Sequence, residues 1–347
     1  MPPDPGSACN NVARLDWGRR ASEFPILQTI LDIIVPIFSL IALGYAAARF
    51  GLLSEAVGEG LARFVFVVAV PVLLFRTLAT MSIGDANPVF LWLSYFGGVA
   101  IVWTLGTLAI RRFAGADHRT GVIAGISSSF ANTVFVAIPT LQRAFGDAGL
   151  EPLLIIISIH LPVMMIASTL LVERAAALDA AVGADLAREP VPLARMARRM
   201  AVNLLTNPII VGIVIGVCWR ALALPLEGSL NEVTRLLGGT AGGLALFSLG
   251  MSLTRYGLRG DLLAASLITV LSLVVMPLCV WLFARQAGLP PLWLKGAVLT
   301  AAAPAGINAY LFATYFKAGE KLAATTILIS TVASVVTLSL WLTILGV

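Results

Sequence analysis

The sequence predicts an all-α polytopic membrane protein with ten transmembrane helices. Of its 347 residues, 59% are hydrophobic and only 12% are charged, which is too little charge to cover a soluble domain of this length. The apolar residues form long runs rather than single stripes, as in helices that span a bilayer. Pro and Gly are frequent, with 18 and 31 residues, as transmembrane helices tolerate. Together these observations exclude a water-soluble fold.

Ten candidate spans follow one another along the chain. Several contain no Asp, Glu, Lys or Arg at all, for example 152–172 and 322–347, and about 20 such residues cross a hydrocarbon core of roughly 30 Å. The predicted spans are 28–50, 61–80, 88–111, 119–145, 150–172, 201–221, 231–254, 261–284, 292–316 and 322–345.

The segments between and before the spans define the domain organisation. Residues 1–25 are polar and lack the apolar stretch of a signal peptide, so we interpret them as a disordered leader or as the product of a start codon assigned too early. Residues 26–172 form a first five-helix repeat, and residues 201–347 form a second. Residues 173–200 carry charges of both signs, and we interpret them as a linker between the repeats.

Basic residues predict the orientation in the membrane. Arg and Lys are more frequent in the loops on the side of the linker, and basic loops collect in the cytoplasm. We therefore expect a multi-pass protein of the inner (plasma) membrane with a cytoplasmic linker and both termini outside. The leader arginines, such as Arg19 and Arg20, favour the opposite orientation.

Two interrupted spans occupy corresponding places in the two halves of the chain. The fourth span contains SSSFANTVFVAIPT at 127–140, and the ninth contains AAAPAGINAY at 301–310. When the first half is laid over the second, Asn132 falls on Pro304. An odd number of spans per half gives the halves opposite orientations, so the pattern predicts inverted repeats with broken, crossing helices 4 and 9. In secondary transporters such paired interruptions mark the binding site.

The two interruptions have the chemistry of an anion site. Freed backbone groups are costly in hydrocarbon, so the interruptions are expected to face the protein interior near the midplane. Half-helix N-termini there offer partial positive charge and N–H groups, which suit a carboxylate. The alternative is that the prolines only kink membrane helices while hydroxyl groups repair the hydrogen bonds. The residues predicted to bind substrate are Asn132, Thr133, Pro139, Pro304, Asn308, Ser128 and Ser129.

Three motifs resemble those of the auxin efflux carrier (PIN-like) family, part of the wider bile-acid/sodium symporter-like superfamily. They are SFANTVFVAIPTLQRAFG, LALFSLGMSL and APAGINAYLFATYF, at 129–146, 244–253 and 303–316. The resemblance covers about 27–347. It implies ten helices, extracellular termini, a scaffold domain beside a transport domain, and a substrate site where helices 4 and 9 cross. It also implies organic anions such as auxin, malate or malonate as substrates.

The predicted function is therefore a secondary transporter, an efflux carrier, that moves small organic anions by alternating access. A sodium-coupled bile-acid-type symporter is the nearest alternative, but it would need more carboxylate or Gln ligands around the crossing. An intramembrane enzyme would need motifs such as HExxH or GxSxG, which the sequence lacks. The expected partners are the solute and the lipid bilayer, without nucleic acid, cofactor or metal, and a homodimer is left open.

His160 is a further candidate outside the interruptions. It lies inside the fifth span, two residues before Pro162. Intramembrane ionisable groups often carry function, and a histidine could be linked to proton movement. The alternative is a neutral imidazole that is hydrogen-bonded to a neighbouring helix.

Two other features each leave two interpretations open. Arg76 and Arg143 fall near helix ends, where they either snorkel to the interface or attract an anion at the outer mouth. The stretch GGTAGGLALFSLG at 238–250 has small residues spaced four apart. Such residues let helices approach closely, either within one molecule or between two copies.

Overall fold

A computed structural model describes residues 25–80, 87–181, 202, 205–257 and 260–347. These residues are helical, with one isolated bridge and no strand among them, so the all-α class is confirmed. The predicted leader lies outside the described residues apart from Pro25, where the first helix begins. Residues 182–200 of the predicted linker lie outside them as well.

Ten helical segments follow one another in the described residues when each interrupted helix is counted once. Seven uninterrupted runs are long and apolar enough to cross a membrane, which agrees with the predicted polytopic fold. The ten helical segments do not conflict with the ten predicted spans. The inverted orientation of the two halves stays a prediction. The helices are α1 Pro25–Arg49, α2 Glu55–Thr80, α3 Pro88–Phe113, α4a His118–Ser129, α4b 133–145, α5 Leu150–Ala181, α6 Pro208–Ala221, α7 Gly228–Leu253, α8 Leu262–Gln286, α9a Pro291–Ala301, α9b Ile307–Phe316 and α10 Glu320–Ile344.

Prolines shape three of these helices without breaking them. α2, α4b and α8 each contain a π-helical segment of five residues, and a proline stands second after each segment: Pro71, Pro139 and Pro277. Proline has no N–H for the carbonyl one turn back, and its ring clashes with that carbonyl. The wider π turn accommodates this mismatch, because it shifts the hydrogen-bond pattern just before the ring.

The helices pack in two groups. In the first group α7 contacts α1 and α2, and α2 contacts α6; α3, α4a, α5, α8, α9a and α10 form the second group. Each group draws corresponding helices from both halves of the chain, as two structurally repeated halves would. α1 and α7 also contact α4b, so this half-helix lies where the two groups meet.

The closest approach between helices joins α1 to α7. A methyl group added at Gly44 would overlap the backbone carbonyl of Phe247, and one added at Gly250 would overlap the carbonyl of Ile41. The two backbones therefore touch directly, as small residues in membrane helices permit. In the same stretch of α7, Gly238 faces Leu73 of α2. These glycines of the 238–250 stretch serve packing within the molecule.

One buried carboxylate ties the start of α4a to the end of α5. α5 continues through Val172, the predicted end of this span, to Ala181. Asp179 therefore reaches α4a, where Oδ1 accepts the His118 amide at 2.9 Å and lies 2.7 Å from His118 Nδ1. Oδ2 accepts the Arg119 amide at 3.2 Å. A carboxylate in this place satisfies amides that a helix N-terminus leaves open and complements its dipole.

We expect Asp179→Asn to lower the stability of the protein by about 1–2 kcal/mol, because it weakens charge-assisted hydrogen bonds to a helix N-terminus. Thermal unfolding in detergent measures the change. Glu232→Gln is the control, since Glu232 and Arg235 form an ion pair in which both side chains are 54% exposed. Such exposed pairs contribute little, so the control should unfold with the wild type. Equal unfolding temperatures for the two variants would contradict the assignment to Asp179.

Candidate functional site

The two interrupted helices cross and pair with each other at their breaks. The Asn132 amide donates to the Pro304 carbonyl oxygen at 2.8 Å, and the Gly306 amide donates to the Phe130 carbonyl oxygen at 2.8 Å. Each break thus satisfies backbone groups of the other, as non-helical backbone inside a membrane requires. The crossing of helices 4 and 9 is therefore present in the structure.

The crossing lies inside the protein, against α10. Phe130 is 2% exposed and Ala305 is fully buried. The Ala305 amide donates to the Ser330 hydroxyl of α10 at 3.2 Å. Ser330 is not among the residues predicted from the sequence. The signal that could have found it is the stripe of hydroxyl side chains at helical spacing along α10, formed by Thr326, Ser330 and Ser334.

Both outgoing half-helices, α4b and α9b, begin at the crossing, so their positive ends meet there. Asn132 caps α4b, and its Oδ1 accepts the Phe135 amide at 3.1 Å. α9b begins after Gly306, which has no side chain to cap it. The amides of Ile307 and Asn308 have no acceptor among the described residues. Open amides at helix N-termini are ready-made donors for an anion.

Four of the predicted site residues lie at the crossing: Asn132, Thr133, Pro304 and Asn308. Asn132 and Thr133 are 5% and 7% exposed, and Asn308 is partly buried. No Asp, Glu, Lys, Arg or His occurs in the broken segments themselves, 127–140 and 301–310. The crossing can therefore offer a solute helix dipoles and neutral donors, but no fixed charge. A role of these residues in substrate binding stays a prediction.

The hydroxyl groups of the two predicted serines, Ser128 and Ser129, form hydrogen bonds within the protein. Both are fully buried, and both hydroxyls donate to the Gly125 carbonyl oxygen at 2.8 Å. Ser128 also lies 3.2 Å from the Val102 carbonyl oxygen of α3. Hydroxyls that bond back to their own helix in this way are not free to donate to a solute in this conformation.

Pro139 lies outside the crossing. The chain leaves the helix at Phe130 and resumes it at Thr133, so Pro139 stands about 10 Å along α4b from Asn132 at 1.5 Å per residue. A methyl group added at Gly242 of α7 would lie 3.5 Å from the Pro139 Cβ. Pro139 therefore shapes α4b where the two packing groups meet, and the break itself is made elsewhere.

His160 lies in a box of aromatic rings beside the crossing. It is 2% exposed, and its ring centre is 4.9 Å from that of Phe130, 5.5 Å from that of Tyr95 and 6.1 Å from that of Phe96. Its Nε2 and the Tyr95 hydroxyl have no hydrogen-bond partner among the described residues. The hydrogen bond expected of a purely structural histidine is therefore not formed at Nε2, and a proton-linked role stays a prediction.

Arg76, near the end of α2, and Arg143, near the end of α4b, differ in their contacts. Arg76 forms an ion pair with Asp147 at 3.5 Å. Arg143 donates from Nε to the Asp32 carbonyl oxygen of α1 at 2.7 Å, and no carboxylate among the described residues pairs with it. Arg143 is thus anchored to α1 but keeps its full positive charge.

A bundle of apolar helices with two interrupted helices crossing in its interior is the architecture of a membrane transporter. Residues 29–342 match the family described as "Membrane transport protein", and the chain belongs to that family. The match confirms the resemblance to auxin efflux carriers that the three motifs carry.

Two relatives match nearly the whole chain. One, from Rhizobium meliloti (strain 1021), is named "Putative malonate transporter"; it is 25% identical over 325 residues, covering 90% of this chain and 95% of the relative. The other, from Methanothermobacter thermautotrophicus (strain ATCC 29096 / DSM 1053 / JCM 10044 / NBRC 100330 / Delta H), is named "Uncharacterized transporter". It is 24% identical over 325 residues, covering 92% of this chain and 98% of the relative. The protein is a multi-pass membrane transporter, not an enzyme.

Proposed function

We propose that this protein is a secondary transporter, an efflux carrier, of small organic anions, and that it binds them at the crossing. The observation that carries the proposal is the meeting of two helix N-termini, with open amides at Ile307 and Asn308, in a buried crossing. Each N-terminus acts as about half a positive charge, so a carboxylate is stabilised there without a fixed cation. The name of the Rhizobium meliloti relative supports a carboxylate as substrate.

Alternating access would move this site between the two sides of the membrane. α4a and α9a belong to one packing group, whereas α1 and α7 of the other group contact α4b. A shift of one group against the other would open the crossing first to one side and then to the other. The proposal also places the protein in the inner membrane, with the linker in the cytoplasm and both termini outside. A homodimer stays a prediction.

Counterflow in proteoliposomes tests the proposal. Vesicles loaded with unlabelled malonate, malate or indole acetate should accumulate the same radiolabelled anion, and vesicles without protein should not. Absence of exchange for all three anions, with protein that remains folded and correctly inserted, would contradict the proposal. Replacing sodium by choline on both sides of the membrane should leave exchange intact, whereas a sodium-coupled symporter would lose it.

We expect His160→Phe to keep the response of transport to an imposed proton gradient. The aromatic box around His160 contains no counter-charge, and a buried cation without a partner is costly. A phenylalanine fills nearly the same space against Phe130, so the crossing should stay intact. The measurement is initial uptake with and without a proton gradient. Loss of the gradient response in His160→Phe, with uptake retained, would instead assign the coupling proton to His160.

A further inference from the structure

A cavity of about 430 Å³ lies between α1, α4b and α7, on the same side of the molecule as Arg143. The backbones of α1 and α7 are in direct contact near Gly44 and Gly250, about two turns further along α7 than Gly243. At Gly239 and Gly243, which line the cavity, an added methyl group would meet no atom within 4 Å. Its volume is within the range of small-molecule pockets. These two glycines therefore keep space open instead of packing two helices.

Arg143 is the one charged side chain that lines this cavity among the described residues. Its Nε is held by the Asp32 carbonyl oxygen at 2.7 Å, so the guanidinium is fixed in place while its terminal nitrogens remain available. The nearby Arg76 has its charge balanced by Asp147. Arg143 therefore contributes a positive charge to the lining of the cavity. Gln142, which also lines the cavity, donates from Nε2 to Asp147 Oδ1 at 3.2 Å.

The cavity and the crossing share the half-helix α4b. Pro139 lines the cavity and stands about 10 Å from Asn132 along the helix axis. α7, which forms one wall, also packs against the first turns of α4b at Thr133–Ala137. The cavity therefore lies about two helical turns along α4b from the break.

We propose that this cavity is an outer vestibule in which Arg143 binds the carboxylate of the solute on its route between the crossing and the outside. The proposal rests on the proposed transport of organic anions and adds a second binding place on the route. A fixed guanidinium binds carboxylates strongly and with defined geometry. The crossing offers only dipoles, so Arg143 adds a charged binding place on its outer side.

Thiol labelling tests the vestibule without relying on transport. A cysteine-free background (Cys9→Ser, Cys218→Ser, Cys279→Ala) receives Gly239→Cys and is placed in nanodiscs of zwitterionic lipid. An anionic methanethiosulfonate should react at least about tenfold faster than a cationic one of similar size, because the positive field raises the local concentration of anions. Adding Arg143→Gln should remove this preference, and malonate should slow labelling when Arg143 is present.

Gly60→Cys is the matched control. Gly60 is exposed on α2, and an added methyl group there also meets no atom within 4 Å, but it does not line the cavity. Its labelling should not respond to Arg143→Gln or to malonate. Equal rates for both reagents at Gly239→Cys, or no labelling at all, would overturn the vestibule. Protection by anionic lipid but not by malonate would overturn it too, since the bound oxyanion would then be a phosphate headgroup.

Transport kinetics separate this proposal from the proposed function. Arg143→Gln should raise KM for malonate about tenfold with little change in kcat, and Arg143→Lys should restore part of the affinity, because a lysine keeps the charge but not the planar fork. Charge-selective labelling with malonate protection, but without exchange in proteoliposomes, would leave the vestibule standing and remove the transport proposal. Exchange that is unaffected by Arg143→Gln would leave transport standing and remove the vestibule.

Discussion

Asn132→Ala should reduce malonate exchange by at least about tenfold, which corresponds to 1.4 kcal/mol. The substitution removes the oxygen that accepts the Phe135 amide at 3.1 Å, and loss of such a cap costs about 1 kcal/mol of stability. It also removes a buried side-chain donor next to the open amides of α9b. Initial rates of counterflow, normalised to the amount of folded protein in the vesicles, measure the effect.

Two asparagines elsewhere in the chain provide matched controls. Asn87 caps α3 and accepts the Val89 amide at 3.0 Å, and Asn207 caps α6 and accepts the Ile209 amide at 2.9 Å. Asn87→Ala and Asn207→Ala should lose similar stability but keep their exchange rate, since neither residue lies at the crossing. Asn132→Ser keeps an oxygen for the cap and loses the amide donor, so it separates the two roles. Equal exchange by Asn132→Ala and Asn207→Ala would remove Asn132 from the site.

Gly250→Ala should lower the unfolding temperature of the protein strongly, with a loss of stability of about 2 kcal/mol or more. Its methyl group would overlap the Ile41 carbonyl oxygen, and a backbone atom cannot turn aside as a side chain can. α1 and α7 would have to move apart, and overpacking of this kind costs about 1–3 kcal/mol or more. Samples are heated at a fixed rate, and size-exclusion chromatography measures the folded protein that remains at each temperature.

Gly243→Ala, seven residues earlier on the same helix, is the control for this prediction. The substitution is chemically identical, but its methyl group would meet no atom within 4 Å. We expect its unfolding temperature to match that of the wild type or to exceed it slightly, because alanine is the better helix former. If both alanine variants unfold at the same temperature, α1 and α7 are not in backbone contact.

Hydrophobicity and length made the spanning helices predictable. A charge-free run such as 322–347 must form helix in a bilayer, because only a helix satisfies its own backbone there. The two interruptions were visible for the same reason, since proline, glycine and asparagine in mid-span need a partner for their backbone groups. That argument depends on local composition alone. The placing of Asn132 and Asn308 at the crossing came from matching the two halves and from the family resemblance, which also placed Pro139 there, although the structure has it outside.

Other features depend on neighbours that local composition does not reveal. The sequence places Asp179 in a charged linker. In the structure Asp179 lies in α5, where its carboxylate accepts hydrogen bonds from the amides of His118 and Arg119. The sequence suggests that Ser128 is a free donor, but its hydroxyl donates to the carbonyl oxygens of Gly125 and Val102. A hydroxyl in a membrane helix can bond either to its own helix or to a ligand, and only the packing around it selects one.

The sequence by itself determined the class of the protein, its helical and membrane-spanning character and the existence of two interruptions, because hydrocarbon imposes its demands on each segment separately. Tertiary structure decided how the breaks are satisfied, through the Asn132–Pro304 and Gly306–Phe130 hydrogen bonds. It also decided which glycines of α7 touch another backbone and which border empty space. These outcomes depend on the distance between helices, and that distance is set by many contacts at once, not by any one segment.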